Sequence, residues 1–166
     1  TWSQENWLNL TKELIKWGYN VVAVGKDSSE TGFFNVQKPV HEMDNNITNL
    51  MNKTSISQTW YLINNAAAVI TMDSGILHLA GTTETPIIEL GSPINPEFRR
   101  PYRKTSKHIY VRGGCGLHCS SNMKYALEYW PTIDYVQPLI GCLEKKETFE
   151  CHPSVAQVIH AINNNI

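Results

Sequence analysis

The segment from Asp73 to His78 reads Asp-Ser-Gly-Ile-Leu-His and combines residue types that suit a phosphorylated ligand. It follows an apolar strand pattern at 68–71 and leads into apolar residues at helical spacing. Backbone N–H groups at the start of a helix have no intrahelical partner, and the helix dipole places partial positive charge there. Gly75 lets a phosphate approach the backbone closely, Ser74 adds a hydroxyl donor, and His78 follows one turn later. We call residues 73–78 the junction segment and expect it to bind an anion.

Two alternatives to this interpretation of the junction segment use the same residues. A structural role would make Asp73 a helix cap and His78 a buried core histidine. A hydrolase triad of Asp73, Ser74 and His78 is disfavoured, because no Gly-x-Ser-x-Gly turn surrounds the serine. Three groups within two helical turns also cannot form a Ser–His–Asp line by sequence order alone.

The elements around the junction segment alternate between strand and helix. The run Val-Val-Ala-Val before Gly25 predicts a strand buried on both faces, and Ser55 with Gln58 forms a capping-box pattern ahead of a helix. The predicted elements are a helix between Ser3 and Gly18, strands at 21–24 and 47–50, a helix at 57–66, a strand at 68–71, a short helix through 77–80, strands at 87–90 and 109–111, and a helix from Pro153. This order predicts an α/β domain with a mainly parallel sheet, flanking helices and right-handed crossovers, and ligands bind at the edge of such sheets.

Composition limits the classes of function. The chain has 166 residues, 42% hydrophobic and 17% charged, which is typical of one globular domain. A net charge of −1 provides no bulk field for nucleic acid, and no apolar run approaches the ~18 residues of a membrane span. We therefore expect a soluble domain that binds no nucleic acid. Because the chain opens at Thr1 directly into a helix pattern, we also expect a fragment of a longer protein without a signal peptide.

Two clusters outside the junction segment could also carry chemistry. A basic loop at 99–107 could face an anionic acceptor or simply solvent; its members are Arg99, Arg100, Arg103, Lys104 and Lys107. The second cluster could bind zinc and consists of Cys115, Cys119, Cys142 and Cys151 with His118 and His152. The cysteine spacing is poor for a tetrahedral site, so we favour reduced cysteines and expect no metal site.

Several motifs together give the chain a resemblance to glycosyltransferase family 9, the lipopolysaccharide heptosyltransferases and their relatives. The junction segment, continued by Leu-Ala, resembles the family signature. The opening Trp-Ser-Gln-Glu-Asn-Trp and the later Val-Val-Ala-Val-Gly resemble the family's first helix and the strand after it. The stretches from Asn49 to Ser55 and from Thr85 to Gly91 resemble two further family turns. The likeness covers about residues 1 to 112 in good register.

The resemblance implies the GT-B plan, in which two Rossmann-like domains face a cleft, and this chain resembles the C-terminal, donor-binding half. Residues 1–112 would be the nucleotide-sugar-binding domain, and 113–166 a cysteine-bearing appendage with the closing helix of the same domain. By position in the motifs, the roles fall on six residues. The diphosphate and sugar would contact Asp73, Ser74, Gly75 and His78; the ribose would contact Glu30, with Ser29 as a rival; and the base would lie near Thr54.

The activity that the resemblance implies is transfer of a sugar, with inversion, from a nucleotide-diphosphate donor such as ADP-heptose to a glycan or lipopolysaccharide acceptor. It would need no metal or other cofactor. The catalytic base would lie in a missing N-terminal domain and the family's phosphate-binding lysine just upstream of Thr1, so no catalytic residue is expected in this chain. The implied location is cytoplasmic, peripheral at the inner membrane. The alternatives are a non-catalytic nucleotide- or sugar-phosphate-binding module and a zinc-stabilised interaction domain.

Overall fold

A computed structural model describes residues 2–26, 45–92, 95–103, 107–115 and 151–166. The helices are α1 (Gln4–Lys16), α2 (Ile56–Asn64), α3 (Gly75–Gly81) and α4 (Val155–Asn165), with a 3₁₀ turn at Pro96–Phe98. The strands are β1 (Val22–Ala23), β2 (Thr48–Asn49), β3 (Val69–Thr71), β4 (Ile87–Leu90) and β5 (His108–Val111). The alternation predicted from the sequence is confirmed across these residues.

The described strands pair in parallel. Strand β1 pairs with β2, while β3, β4 and β5 lie side by side in that order. Parallel neighbours require a crossover between them, and α3 provides the connection from β3 to β4. The expectation of an α/β fold with a parallel sheet is confirmed.

Strand β4 is the centre of the described core, because its side chains alternate between two apolar clusters. Ile88 and Leu90 join one cluster, in which α1 and α4 pack on the sheet and Trp2 is fully buried. Ile87 joins the other cluster with residues of α2, β3 and α3. The members beyond β4 and Trp2 are Leu10, Leu14, Val111, Val158, Ala161 and Ile162 in the first cluster and Ile63, Val69, Leu77 and Ala80 in the second. Helices therefore cover both faces of β4, as a parallel sheet requires.

Strand β1 departs from its prediction. The sequence predicted burial on both faces, but Val22 is 42% exposed, so that expectation is wrong. A β-branched run reports the preference of the backbone for an extended conformation, whereas burial depends on which elements pack over each face. The backbone pairing itself is as predicted and continues past the strand, since Asn52 N–H donates to Gly25 O at 2.9 Å.

Serine caps define three of the helix starts. Ser3 accepts from Asn6 N–H at the start of α1, and Ser55 and Ser154 form complete capping boxes on α2 and α4. Helix α2 thus begins and ends one to two residues before the predicted 57–66. Pro153, predicted to start the last helix, lies ahead of the cap, and its carbonyl accepts a 2.7 Å hydrogen bond from Trp2 Nε1.

None of the helices in the described ranges combines the length and apolar character needed to cross a membrane.

Candidate functional site

The junction segment lies at the carboxyl edge of the three-stranded parallel sheet. Strand β3 ends at Thr71, Asp73 and Ser74 form the turn, and α3 begins at Gly75. Ser74 and Gly75 are exposed, and Asp73 is half-buried with 16% of its side chain accessible. In open α/β sheets this edge is where ligands bind.

The first turn of α3 is open above its backbone. Ser74 is the N-cap residue, yet its side chain makes no capping hydrogen bond to the helix. Its hydroxyl instead lies 3.1 Å from Thr71 Oγ1, which donates its own proton to Met72 O at 3.0 Å. Among the described residues, no atom lies within 4 Å of a Cβ built on Gly75. Within this part of the chain, the start of α3 therefore has neither a side-chain cap nor a packing neighbour at this glycine.

The structural alternatives for Asp73 and His78 do not hold. The N-cap position belongs to Ser74, so Asp73 is not the helix cap. His78 is exposed on α3, and it is Leu77 and Ala80 that the helix buries. Neither side chain therefore has the role that the structural alternative gives it.

A loop beyond β4 brings an arginine to the junction segment. Arg99 Nε lies 3.8 Å from Asp73 Oδ2, and its own side chain is 55% exposed. The neighbouring Arg100 pairs instead with Glu97, at 3.5 Å, and is equally exposed. We call residues 95–103 the arginine loop. Its sequence indicated only a basic loop, and the ion pair to Asp73 was not predicted.

The arginine loop is held against the chain around α3. Pro101 is buried, and a Cβ on Gly81 would overlap its ring. The Arg103 guanidinium donates to Thr83 O at 2.8 Å and to Thr85 O at 2.6 Å. Burial lowers the pKa of Arg103, an effect opposed by the nearby Glu84 carboxylate. Arg103 thus anchors the loop and is not free to contact an acceptor, while Lys104 lies outside the described residues.

Thr54 follows the carboxyl end of β2 and precedes α2. Its hydroxyl lies 2.9 Å from Thr59 Oγ1, which also donates to Ser55 O at 2.9 Å. A groove of about 410 Å³ opens beside it. The groove is lined by Leu50, Thr54, Ser57, Gln58, Tyr61 and Leu62. The groove is open to solvent and its lining is largely apolar.

A buried polar layer lies in the sheet beneath the junction segment. Glu89 of β4 stands opposite Thr71 of β3, and its Oε2 lies 2.7 Å from Nε2 of His108 on β5. Both side chains are nearly inaccessible, at 3% and 12%. On β5, burial raises the pKa of Tyr110, and the backbone of Ser92 opposes that shift. Sequence reasoning missed this layer, although a carboxylate inside the apolar run Ile-Ile-Glu-Leu was a usable signal.

The remaining predicted residues include several outside the described part of the chain. Glu30, its rival Ser29, Cys119, Cys142 and His118 belong to this group. Cys115 is partly exposed and Cys151 is buried. In the described ranges, no three His, Cys, Asp or Glu side chains come close enough to hold a metal ion.

A parallel sheet with an open turn and helix start at its carboxyl edge defines a Rossmann-like α/β domain. The sequence model of glycosyltransferase family 9 (heptosyltransferase) matches residues 1–127, so the chain belongs to this family. Lipooligosaccharide heptosyltransferase 2 of Haemophilus influenzae is 31% identical over 101 residues, which are 60% of this chain and 29% of the relative. The chain therefore spans well under half the length of that relative.

Two solved structures share the fold. The family 9 glycosyltransferase of Veillonella parvula superposes with a TM-score of 0.66 at 21% identity, covering 98% of this chain and 41% of that one. The ADP-heptose lipopolysaccharide heptosyltransferase II of E. coli gives a TM-score of 0.56 at 26% identity, covering 79% of this chain and 41% of that one. The predicted family resemblance and the Rossmann-like fold are confirmed.

Proposed function

We propose that this chain is the donor-binding part of a glycosyltransferase that moves a heptose-type sugar from a nucleotide diphosphate to a lipopolysaccharide or other glycan acceptor. The observation that carries the proposal is the open turn at Ser74 and Gly75 on the carboxyl edge of the sheet. Membership of family 9 supports the reaction class. The relative named as an ADP-heptose heptosyltransferase, 26% identical, supports ADP-heptose as the donor.

The diphosphate would lie over the first turn of α3. Amides at this turn and the positive end of the helix dipole favour an anion, and the absent side chain of Gly75 leaves the space for close approach. The Ser74 hydroxyl can turn from Thr71 toward a phosphate oxygen. His78 can reach the diphosphate or a sugar hydroxyl from one turn further along, and Asp73 can accept hydrogen bonds from sugar hydroxyls.

The nucleoside would extend from the diphosphate toward β2 and α2. Thr54 and the groove beside it are suited to the base, since a nucleobase presents an apolar face and a polar edge. Glu30 is proposed for the ribose hydroxyls on family resemblance alone, because it lies outside the described residues.

In the proposed reaction an acceptor oxygen bonds to the anomeric carbon while the bond from that carbon to the diphosphate breaks. Attack from the opposite face inverts the anomeric configuration, and the nucleoside diphosphate leaves with the electron pair. Amides at α3, His78 and the upstream lysine would stabilise the leaving charge without a divalent ion. A base outside these 166 residues would take the acceptor proton, because a base and a leaving-group site must face each other across one cleft.

The proposed reaction implies a domain arrangement, because the base and the leaving-group site must face each other across a cleft. Residues 1–112 would form the nucleotide-sugar-binding domain of a GT-B enzyme, and 113–166 would complete it. The contact of Trp2 with Pro153 and the packing of α1 on α4 support a single unit. The acceptor class supports a cytoplasmic enzyme that works at the inner membrane surface.

Calorimetric titration of the intact protein with ADP tests the site. Gly75→Val and His78→Ala should each weaken binding by about 1–3 kcal/mol, the scale of charge-assisted hydrogen bonds. Gly114→Val is the matched control, because Gly114 is likewise open but follows β5, two strands away from β3. Unchanged affinity in both site variants would exclude the junction segment from the donor site.

An activity assay tests the division of labour. With ADP-heptose and an acceptor, these 166 residues alone should give no transfer, whereas a chain extended upstream by a second domain should turn over. Comparable rates for the two would place the catalytic base within this chain.

A further inference from the structure

A carboxylate beside a diphosphate poses an electrostatic problem at the junction segment. Asp73 directly precedes Ser74 and Gly75, where the proposed diphosphate would lie. Its side chain is 16% exposed, so water screens its charge poorly. Like charges at close range in a partly buried site repel, and the repulsion would weaken binding of the donor unless a cation offset it.

Arg99 is placed to offset this charge. Its Nε lies 3.8 Å from Asp73 Oδ2, a distance beyond a hydrogen bond but well within the range of strong Coulomb attraction. The contact therefore acts through charge and not through a fixed hydrogen bond. The next arginine in the chain, Arg100, has its own carboxylate partner in Glu97.

Contacts on both sides of Arg99 hold the backbone of the arginine loop beside α3. Pro101 packs on Gly81 at the end of α3, and Arg103 is tied to the carbonyls of Thr83 and Thr85. On the other side of Arg99, the side chain of Asn95 caps the 3₁₀ turn by accepting from Glu97 N–H at 3.0 Å. A cation that is already in place costs little conformational entropy when the ligand arrives.

We propose that Arg99 is a positioning residue that neutralises Asp73 and so allows one site to hold a diphosphate and a carboxylate side by side. The inference rests on the proposed function, since it names the charge balance of the same donor site. Asp73 can then accept hydrogen bonds from sugar hydroxyls while Arg99 offsets its repulsion of the phosphates.

The first experiment compares two adjacent arginines in the intact protein by titration with ADP and with adenosine. Arg99→Gln should weaken ADP binding about tenfold at low salt and leave adenosine binding unchanged, and Arg99→Lys should restore most of the ADP affinity. Arg100→Gln, the matched control of equal exposure, should change ADP affinity less than about twofold. A purely structural role for Arg99 would weaken both ligands alike.

The second experiment repeats Arg99→Gln in an Asp73→Asn background. With no carboxylate to neutralise, the loss of ADP affinity on removing Arg99 should shrink to about twofold. A loss that stays tenfold would show that Arg99 acts on the phosphates directly and would overturn the inference. Equal losses in the two arginine variants would overturn it as well. Wild-type protein that binds no nucleoside diphosphate would instead contradict the proposed function on which the inference rests.

Discussion

The two ends of α3 both carry a glycine, and the two glycines do opposite things. Gly75, at the start of the helix, faces open space and is exposed. Gly81, at the end, is buried beneath Pro101, and a methyl group there would overlap the proline ring. Gly81 allows Pro101 to pack against the helix end, whereas the space at Gly75 is not filled by any residue that the structure describes.

A second contrast lies between two pairs of side chains near the junction segment. Asp73 and Arg99 form a loose, partly exposed ion pair. In the sheet below, Glu89 and His108 form a short, buried hydrogen bond of 2.7 Å. Substitutions at the buried pair and the buried glycine should therefore cost folding stability, while substitutions at the exposed pair and the exposed glycine should leave stability nearly intact and cost ligand binding.

The largest expected effect is on the buried Glu89–His108 hydrogen bond. His108→Ala removes the partner of a buried carboxylate and should lower the free energy of unfolding by about 3 kcal/mol. Arg99→Gln, which breaks the exposed pair, should lower it by less than about 1 kcal/mol. Urea denaturation of the intact protein measures both losses of stability. Equal losses in the two variants would contradict the distinction between the buried pair and the exposed pair.

The two glycines of α3 should differ next most in the stability cost of substitution. Gly81→Ala should lower the free energy of unfolding by about 1–3 kcal/mol, because the added methyl group overpacks against Pro101. Gly75→Ala should change it by less than about 0.5 kcal/mol, since no atom in the described ranges lies within 4 Å of the added methyl group. Thermal unfolding of the two variants side by side provides the comparison. Strong destabilisation by Gly75→Ala would mean that the open end is packed after all.

The N-cap serines of α2 and α3 should differ in stability cost by a smaller amount. Ser55→Ala removes a capping box from α2 and should cost about 1 kcal/mol of stability. Ser74→Ala removes a side chain that makes no capping bond and should cost only a few tenths, while ADP affinity falls. Denaturation and titration on the same two proteins separate the effects, and a full capping cost at Ser74 would contradict this assignment.

The stability of the protein should also depend on pH. Burial lowers the pKa of His152 to about 4. Between this value and the ordinary value of about 6.5, the unfolded chain binds a proton that the folded chain does not. Stability from this group is therefore complete above pH about 6.5 and declines as pH falls toward 4, with the size reduced by partial solvent exposure. His152→Gln should flatten that decline, which pH-dependent unfolding curves would reveal.

Local signals explain why most elements could be predicted. The spacing of Leu10 and Leu14, the Ser55–Gln58 capping pattern and the run Ile87 to Leu90 act over a few residues, so a single sequence reports them directly. The position of the junction segment at the end of a parallel strand was also predictable from such short-range patterns. Its ligand remains a proposal.

Other features depended on neighbours that are distant along the chain. The exposure of Val22 is decided by what covers the strand, and not by the β-branched run itself. Within one basic loop, Arg103 donates to two backbone carbonyls, whereas Arg99 pairs with Asp73. The sequence did not distinguish the roles of these two arginines. The sequence alone determined the order of strands and helices and the residue types at the strand end, because both arise from short-range preferences. Tertiary structure decided which charged side chains pair, because an ion pair forms only when the fold brings two segments of the chain together.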